Sequence, residues 1–418
     1  MRGCQISAGI RKGLMMPEAV IVAAGRTPIG RAIKGSLAEM RPDDLAAAVI
    51  RHVLASVPQL KASDVEDLIL GCGMPAGESG FNMARVTAIL SGMEGAPGVT
   101  VNRYCSSSLQ AIRMAFHAIR AGEGEVFVAG GVETVSRFSS GTSDLPHAVN
   151  PVFSSAIART ERRSMRSRDA WESTNGLPDV YISMGQTAEN VAEYEKVSRR
   201  EMDEFAARSQ ELACARQADG FFNHEIMPIQ LPDGRLLARD DGPRPGTTIE
   251  KLAELPPVFR EGGAVTAGNA CPLNDGAAAV VVMSDTRARE LGIRPLARIV
   301  SSGVSALHPE IMGLGPIEAS RQALRRAGMS MNDIDLVEIN EAFAAQVIPS
   351  ARHLGVGWDK LNVNGGAIAL GHPFGMTGAR IMTTLLHSLE ERGKRFGLET
   401  MCVGGGQGMA MIVERLEN

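Results

Sequence analysis

The sequence is poor in aromatic residues, and it has no long apolar run and no excess of positive charge. Aromatic side chains make up only 4% of the 418 residues, and 43 basic residues face 47 acidic ones, a net charge of -4. Such a chain lacks the usual stacking and electrostatic means of binding a nucleic acid. Its longest apolar run, Ala277 to Met283, is far shorter than the roughly 18 residues of a membrane span. We therefore expect a soluble protein with no nucleic acid partner and no membrane span.

The cysteines form no CxxC pair and show no zinc-binding spacing, so we expect reduced thiols and no metal. They are Cys4, Cys72, Cys105, Cys214, Cys271 and Cys402. Reduced thiols indicate a reducing compartment. We expect a cytoplasmic protein of bacterial type. Residues 1–16 carry basic but no acidic side chains and lack the apolar segment of a secretory signal. We interpret them as a disordered extension; a short transit segment, which would place the protein in the mitochondrial matrix, is the alternative.

Apolar runs that end at glycine or proline alternate with segments of helical spacing along the chain. In the first third we predict strands at 19–23, 67–70, 99–101 and 126–129 and helices at 42–54, 82–90 and 106–121. In the last third we predict strands at 336–339 and 400–403 and helices at 317–327 and 377–392. Strands separated by helices predict parallel pairing with right-handed crossovers, an α/β fold.

The two ends of the chain look like copies of one unit. When 63–66 is aligned with 332–335, two loops with candidate reactive residues fall at nearly the same distance. Cys105 lies 41 residues after Asp64, and His372 lies 39 residues after Asp333. An internal duplication explains this spacing. Equivalent loops of the two halves would then meet, and a site at their junction would draw residues from both.

The middle of the chain has a different composition. Residues 137–180 are rich in Ser, Arg and Pro, with five arginines between 159 and 168, and 184–216 has helical spacing. The arginines belong either to a solvated loop or to a patch that binds phosphate or another subunit. We predict an insertion of about 130 residues that covers the junction of the halves.

Two residues in equivalent strand-to-helix turns are candidates for chemistry. Cys105 precedes a predicted helix, where free amides and the helix dipole lower a thiol pKa, although a buried structural cysteine is the simpler alternative. His372 lies in a turn with three glycines, where a general base could approach a ligand. Their equivalent positions in the duplicated unit favour a Cys/His pair over two structural residues.

Three further candidates lie at strand ends of the second half. Cys402 ends a predicted strand, and Gly404 begins a run of glycines whose amides could form an oxyanion hole. Asn340 could hold a water or a substrate carbonyl. A core cysteine and a helix-capping asparagine are the ordinary alternatives.

These residues lie in four blocks that resemble, in order, the signature blocks of the thiolase family. The blocks are Asn102 to Gln110, Asn340 to Phe343, Gly371 to Pro373 and Cys402 to Gly404. Four further segments are similar, at 184–185, 188–190, 266–269 and 274–276. The resemblance runs from about Ala19 to the C-terminus. It implies a duplicated α/β fold: two similar halves, each with a mixed five-stranded sheet and helices between and outside, plus a loop-rich insertion.

The resemblance implies acyl transfer between coenzyme A thioesters, with CoA as a substrate and no permanently bound cofactor. Cys105 would carry the acyl group after activation by His372, and Cys402 would move the proton at the α carbon of acetyl-CoA. One oxyanion site would combine His372 with a water held by Asn340, and the other would combine the amides of Cys105 and Gly404. Acyl-CoA, acetyl-CoA and CoA are the expected small-molecule partners.

The resemblance also assigns substrate-binding positions. Arg244 would lie near the CoA nucleotide, and the other positions would line the pocket: Met184, Phe259, Ala267, Cys271 and Phe343. A surface arginine and a core phenylalanine are alternatives for Arg244 and Phe259. Three residues depart from common family patterns, namely Ser183 in place of His, Cys271 in place of Ser, and Ser108 in place of Gly.

The domain organisation and function follow from these points. We predict a first α/β half at 17–136 with 260–290, a loop domain covering the CoA site at 137–259, and a second half at 291–418. The predicted activity is that of a 3-ketoacyl-CoA thiolase in fatty-acid or related acyl-CoA degradation. Acetoacetyl-CoA thiolase and a non-catalytic CoA-binding subunit of a fatty-acid oxidation complex are the alternatives. The resemblance implies a homodimer or homotetramer.

Overall fold

The computed structural model describes residues 16–166 and 171–416, and the extension predicted at 1–16 lies, except for Met16, outside this range. In the described ranges the strands are β1 (Ala19–Arg26), β2 (Gly30–Arg31), β3 (Asp67–Gly71), β4 (Gly98–Val101), β5 (Val126–Thr134), β6 (Ile229–Gln230), β7 (Leu236–Leu237), β8 (Asn274–Ser284), β9 (Ala297–Ala306), β10 (Leu336–Ile339), β11 (Phe396–Val403) and β12 (Gln407–Arg415). The α-helices are α1 (Pro42–Ala55), α2 (Met83–Leu90), α3 (Ser107–Ala121), α4 (Ser154–Arg166), α5 (Met184–Tyr194), α6 (Arg199–Asp219), α7 (Ile249–Ala253), α8 (Asp285–Glu290), α9 (Gly315–Ala327), α10 (Ala344–Leu354), α11 (Ala367–Leu370) and α12 (Thr377–Glu391). No helix among them is long and apolar enough to cross a membrane.

The two halves repeat one strand topology, as the duplication predicted. In the first half the order is β4-β3-β5-β8-β1, with β3 parallel to both neighbours and β8 antiparallel to both. In the second half the order is β10-β11-β12-β9, with the same parallel and antiparallel relations. A parallel bridge between Val337 and Leu361 occupies the place that β4 has in the first half.

The sheets differ in two respects from the expected pair of five-stranded sheets. Within the described residues the second half has four strands, because its fifth position is reduced to that single bridge. The halves also join into one ten-stranded sheet through antiparallel pairing of β1 with β9, at Val20 with Arg298 and Ile21 with Ala297. Both strands are otherwise sheet edges, and their pairing satisfies backbone groups that would be left open.

The helices α3 and α12 occupy equivalent places in the two halves and pack against each other. Their apolar faces belong to one buried cluster. Near their N-terminal ends, Gly378 approaches so closely that a Cβ there would lie 2.5 Å from the backbone nitrogen of Leu109. The Ala379 amide donates a hydrogen bond to Ser108 Oγ at 2.9 Å. The turn that carries Cys105 also contacts α12, which begins five residues after His372.

The region between the halves is more ordered than its composition predicted. The segment 137–180, expected as loop, contains α4, and the helix expected at 184–216 is two helices, α5 and α6. Ser198 begins the second by a capping box with Glu201, a local signal that explains the break. The domain boundaries stay a prediction. The pairing of β8 with β5 supports the return of 260–290 to the first half.

The close contact at Gly378 generates a stability prediction. We expect Gly378→Ala to lower the free energy of unfolding by about 1–3 kcal/mol, because the added methyl group meets backbone atoms of α3 that cannot rotate away. Thermal unfolding measures the change. Gly95→Ala is the control, since a Cβ there meets no atom within 4 Å. Equal unfolding midpoints for the two variants would contradict the close packing of the helices.

Candidate active site

A cavity of about 500 Å³ opens beside the turn that precedes α3. Cys105, Met184 and Gly404, which come from three distant parts of the chain, all line it. Phe374, two residues after His372, lines it as well. The structure therefore brings three of the predicted site residues to one surface, with the histidine turn at its wall.

The turn that carries Cys105 is held by its own serines. Cys105 lies in a single 3-10 turn, Tyr104–Ser106, and the α-helix starts only at Ser107. Ser107 Oγ accepts the Arg103 amide at 2.9 Å and donates to the Tyr104 carbonyl at 2.7 Å. Tyr104 has a φ of 41°, a left-handed conformation that few residues other than glycine adopt. Strain of this kind is common where a reactive side chain must be presented.

Burial dominates the protonation of Cys105. Its side chain is almost fully buried, and this desolvation raises the pKa of the thiol to about 11. Hydrogen bonds to the sulfur from the backbone amides of Gly404 and of Cys105 itself act in the opposite direction, and the Glu133 carboxylate raises the pKa further. The amide of Cys105 lowers this pKa, as the position before a helix predicts, but the loss of solvent outweighs it. The resting thiol is neutral and needs a base.

Hydrogen bonds fix the tautomer of His372, the candidate base. Thr377 Oγ1 donates to the Pro373 carbonyl at 2.7 Å and lies 2.6 Å from His372 Nδ1. Since the hydroxyl has one proton, Nδ1–H donates to it, and Nε2 keeps its lone pair. Burial lowers the pKa of His372 to about 3, with the positive charge of Arg380 adding to the shift. The imidazole is therefore neutral, with its lone pair at Nε2.

Asn340 lies at the basic face of His372 and does not cap a helix. Its Nδ2 is 3.3 Å from His372 Nε2, and Gln346 Nε2 donates to its carbonyl at 2.6 Å. The following helix, α10, has Phe343 at its N-cap position. Asn340 Oδ1 is buried without a hydrogen-bond partner in the described part of the chain. Such an acceptor can hold a water, and the predicted role of Asn340 stays a prediction.

Two more thiols interact with Cys105. Cys402 is fully buried at the end of β11, and its pKa lies well above the usual value because of burial and of the thiols of Cys105 and Cys271. The pKa of Cys271 is also raised, by burial first and then by Cys105. The candidate acid/base Cys402 is thus a neutral proton donor at rest, and Cys271 belongs to the same cluster.

The residues predicted to bind CoA are not all in one place. Phe259 and Phe343 pack edge to face with ring centroids 6.0 Å apart, and the Phe259 ring covers Gly185, where a Cβ would clash. Ala267 and Arg244 are exposed, and the Arg244 amide donates to Gln210 Oε1. Of the described residues that line the 500 Å³ cavity, only Met184 belongs to this set. The CoA-binding roles stay predictions.

Sequence reasoning missed Glu133, a buried carboxylate that joins the loops of the site. It accepts hydrogen bonds from the amides of Gly73 at 2.7 Å, Gly375 at 2.9 Å and Met74 at 3.2 Å. Gly375 lies in the turn after His372, so Glu133 ties that turn to the first half. Burial raises the pKa of Glu133 to about 7. An acidic residue at the end of the otherwise apolar strand β5 was the available signal.

Sequence reasoning also missed the supports of His372. The His372 amide donates to Asn274 Oδ1 at 3.0 Å, and Thr377 fixes the ring. A hydroxyl five residues after the histidine, that of Thr377, was the only local hint.

The described ranges hold no group of three or more residues that could bind a metal ion.

The neutral thiol generates a prediction about its reactivity. Without substrate, we expect the rate of Cys105 alkylation by iodoacetamide to rise about tenfold for each pH unit between pH 7 and 10, because a thiol with a pKa of about 11 remains mostly protonated there. Peptide mass mapping follows the modification, with the half-buried Cys214 as internal reference. A plateau in the Cys105 rate below pH 8 would show a stable thiolate and contradict the neutral resting state.

Comparison with known proteins agrees with this geometry. Residues 19–286 match the family model "Thiolase, N-terminal domain", and residues 293–415 match "Thiolase, C-terminal domain". The chain is 43% identical over 411 residues to an Escherichia coli protein named 3-oxoadipyl-CoA/3-oxo-5,6-dehydrosuberyl-CoA thiolase, with 96% of this chain and all of that one covered. It is 46% identical over 410 residues to a Pseudomonas aeruginosa acetyl-CoA acetyltransferase, with the same coverage.

A solved structure shows the same fold. The crystal structure of the Bacillus anthracis acetyl-CoA acetyltransferase has a TM-score of 0.84 and 39% sequence identity, and the match covers 96% of this chain and 99% of that one. Family models over both halves, full-length relatives and the shared fold lead to one conclusion. The chain belongs to the thiolase family.

Proposed function

We propose that the protein is a 3-ketoacyl-CoA thiolase that cleaves 3-oxoacyl-CoA with CoA to acetyl-CoA and an acyl-CoA shortened by two carbons. The observation that carries this proposal is the placement of Cys105 in the cavity wall, with two backbone amides at its sulfur. His372, whose Nε2 lies 3.3 Å from Asn340 Nδ2, is the proposed base. A Bacillus subtilis relative named 3-ketoacyl-CoA thiolase, 42% identical over 412 residues, supports the proposal.

In the first step Cys105 Sγ bonds to the C3 carbonyl carbon of the substrate while His372 Nε2 takes the thiol proton. The C2–C3 bond then breaks, and its electron pair leaves with acetyl-CoA. Cys402 gives its proton to the new α carbon. The shortened acyl group remains on Cys105 as a thioester.

In the second step a CoA thiol gives its proton to the Cys402 thiolate and attacks the thioester. The Cys105 sulfur leaves and recovers its proton from His372. CoA is thus the substrate, and the side chains return to their starting protonation. The pKa of His372 is near 3 and that of the Cys105 thiol is near 11. The proton therefore moves from Cys105 to His372 only as the new carbon–sulfur bond forms.

The oxyanion of each step needs donors already in place. The amides of Cys105 and Gly404, which point at the sulfur, are suited to stabilise the oxyanion that forms on the carbon bound to that sulfur. Asn340 beside His372 Nε2 is suited to hold the carbonyl oxygen of the acetyl-CoA unit through a water. In a buried site such fixed donors are more effective than water.

The shape of the cavity favours an acyl chain longer than four carbons. Its volume of about 500 Å³ falls in the range of pockets that bind drug-sized ligands, which is room for an acyl group larger than acetyl. Apolar side chains dominate its walls, among them Met74, Ile157, Ile182 and Phe374. This observation favours 3-ketoacyl-CoA over acetoacetyl-CoA, the substrate of the acetyltransferase alternative.

The charge of the cavity favours an uncharged acyl chain. Relatives named 3-oxoadipyl-CoA thiolase act on a chain that ends in a carboxylate. Among the described residues that line this cavity there is no Lys or Arg, whereas Asp144 supplies a negative charge. The Asp144 carboxylate is close enough to Tyr104 to help raise the pKa of that phenol, after burial. A second carboxylate in this space would be repelled.

The surface beside β4 supports a homo-oligomer, either a homodimer or a homotetramer. β4 is an edge strand, and the adjacent segment carries the exposed apolar side chains Phe81, Ile89 and Leu90. Phe81 is 95% exposed. Apolar side chains at an unpaired edge are typical of a surface covered by a second copy.

Bacterial relatives support a cytoplasmic enzyme of acyl-CoA degradation.

Substrate preference tests the proposal. With CoA present, we expect kcat/KM for 3-oxooctanoyl-CoA to exceed that for acetoacetyl-CoA and that for 3-oxoadipyl-CoA by at least about tenfold each, because only the first fills the apolar cavity without burying a charge. The loss of 3-oxoacyl-CoA absorbance measures all three. Activity confined to acetoacetyl-CoA would establish the acetyltransferase alternative. Absence of activity on all three substrates would contradict an enzyme and favour the non-catalytic CoA-binding subunit.

The role of Asp144 gives a separate prediction. Asp144→Asn should raise kcat/KM for 3-oxoadipyl-CoA several-fold relative to 3-oxooctanoyl-CoA, since it removes the negative charge from the cavity. Asp233→Asn is the matched control, because Asp233 pairs with Arg235 on a surface hairpin. If both variants leave the ratio of the two substrates unchanged, Asp144 does not set the charge preference.

A further inference from the structure

A side-chain bridge between the two halves lies directly beside the oxyanion donors. Arg103, two residues before Cys105, donates from Nη1 to Gln407 Oε1 at 2.7 Å. Gln407, three residues after Gly404, donates from Nε2 to the Gly404 carbonyl at 3.3 Å. We propose that Arg103 and Gln407 are positioning residues that fix the Gly404 amide relative to the Cys105 amide; the catalytic meaning of this bridge rests on the proposed function.

Arg103 is held at both ends. Besides Gln407, its guanidinium donates from Nε to Gln110 Oε1 of α3 at 3.1 Å. Partial burial lowers the pKa of Arg103, so the guanidinium lies where water is scarce. Both side-chain hydrogen bonds that the described structure gives it go to carboxamide oxygens. A guanidinium that donates two bonds in fixed directions acts as a rigid spacer.

The backbone of Arg103 belongs to the nucleophile turn. Its amide donates to Ser107 Oγ at 2.9 Å, and its carbonyl accepts the Ser106 amide at 3.0 Å. Any displacement of the Arg103 main chain therefore displaces Cys105. Arg103 thus supports the turn of Cys105 by its main chain and reaches the second half by its side chain.

Gln407 fixes the opposite donor. Its carboxamide oxygen accepts from Arg103 and its nitrogen donates to Gly404, so a flipped amide would break both bonds. Between Gly404 and Gln407 lie Gly405 and Gly406, with φ values of 78° and 80°. Glycines leave such a turn with many backbone states, and the Gln407 bond restricts them. The Gly404 amide then keeps its direction toward Cys105 Sγ.

The expected effect follows from the cost of a misplaced oxyanion donor. Removal of one donor lowers kcat by about 10²- to 10³-fold in other enzymes, so a donor that is present but loosened should cost less, about 10- to 100-fold. We expect Arg103→Met and Gln407→Leu each to lower kcat in this range, with KM for CoA changed less than about twofold. Because both variants break one bridge, the double variant should be no slower than the slower single variant.

Arg113→Met is the matched control. Arg113 is half-buried on α3, and it also reaches the second half, where Nε donates to Ser302 Oγ at 3.3 Å, but the described structure gives its side chain no hydrogen bond to Gln407 or to the turn of Cys105. We expect it to leave kcat within about twofold of the wild type. Thermal unfolding of all variants shows whether any effect reflects global destabilisation. Arg103→Lys and Gln407→Glu, which keep part of the bridge, should lose less activity than the truncated variants.

A second readout does not require turnover. Since the Gly404 amide lowers the pKa of Cys105, we expect alkylation of Cys105 by iodoacetamide at pH 9 to slow several-fold in Arg103→Met and Gln407→Leu and not in Arg113→Met. Unchanged alkylation, additive losses of kcat, or an equal loss in Arg113→Met would overturn the bridge. Absence of thiolysis in the wild type would instead refute the proposed function, and the alkylation rates would still decide the bridge.

Discussion

The packing of α3 against α12 is the constraint on which the site depends. The helix α3 follows β4 and α12 follows the short helix α11, and each is preceded by a turn with one reactive residue. The approach of Gly378 to Leu109 and the hydrogen bond between Ala379 and Ser108 fix the two helix starts relative to each other. A duplicated unit thereby forms one site from two equivalent turns. Ser108, a departure from the common family pattern, contributes the acceptor of this contact.

Burial then determines the chemistry. It keeps Cys105, Cys402 and His372 neutral, whereas in water at neutral pH a thiol and an imidazole would be partly ionised. Charge therefore develops only when a substrate carbon is attacked, and the fixed amides at the sulfur are arranged for that moment. Glu133 is likewise bound by fixed amides. It holds the turn after His372 through backbone amides, and no basic side chain is among its hydrogen-bond partners in the described structure.

Local patterns were sufficient to predict the strands and helices around the two equivalent turns, but they did not give β8, β9 or β12. The pairing of Cys105 with His372, inferred from the spacing of the duplication, stays a prediction. Local patterns failed where the cause is distant in sequence. The pKa of Cys105 depends chiefly on its burial in the folded protein, which the position before a helix does not show. Glu133 contacts Gly375 across 242 residues, and Arg103 contacts Gln407 across 304. Thr377 lies only five residues from His372, but its role depends on the orientation of the imidazole ring, which the sequence does not show.

The central claim is that Cys105 forms the covalent intermediate in a site shared by both halves. Mass spectrometry of peptides from protein mixed with 3-oxooctanoyl-CoA in the absence of free CoA tests it most directly. The account predicts a six-carbon acyl group, two carbons shorter than the substrate chain, on the peptide that contains Cys105. An acyl group found on Cys402 or Cys271 instead, or no acyl-enzyme while turnover with CoA proceeds, would contradict it.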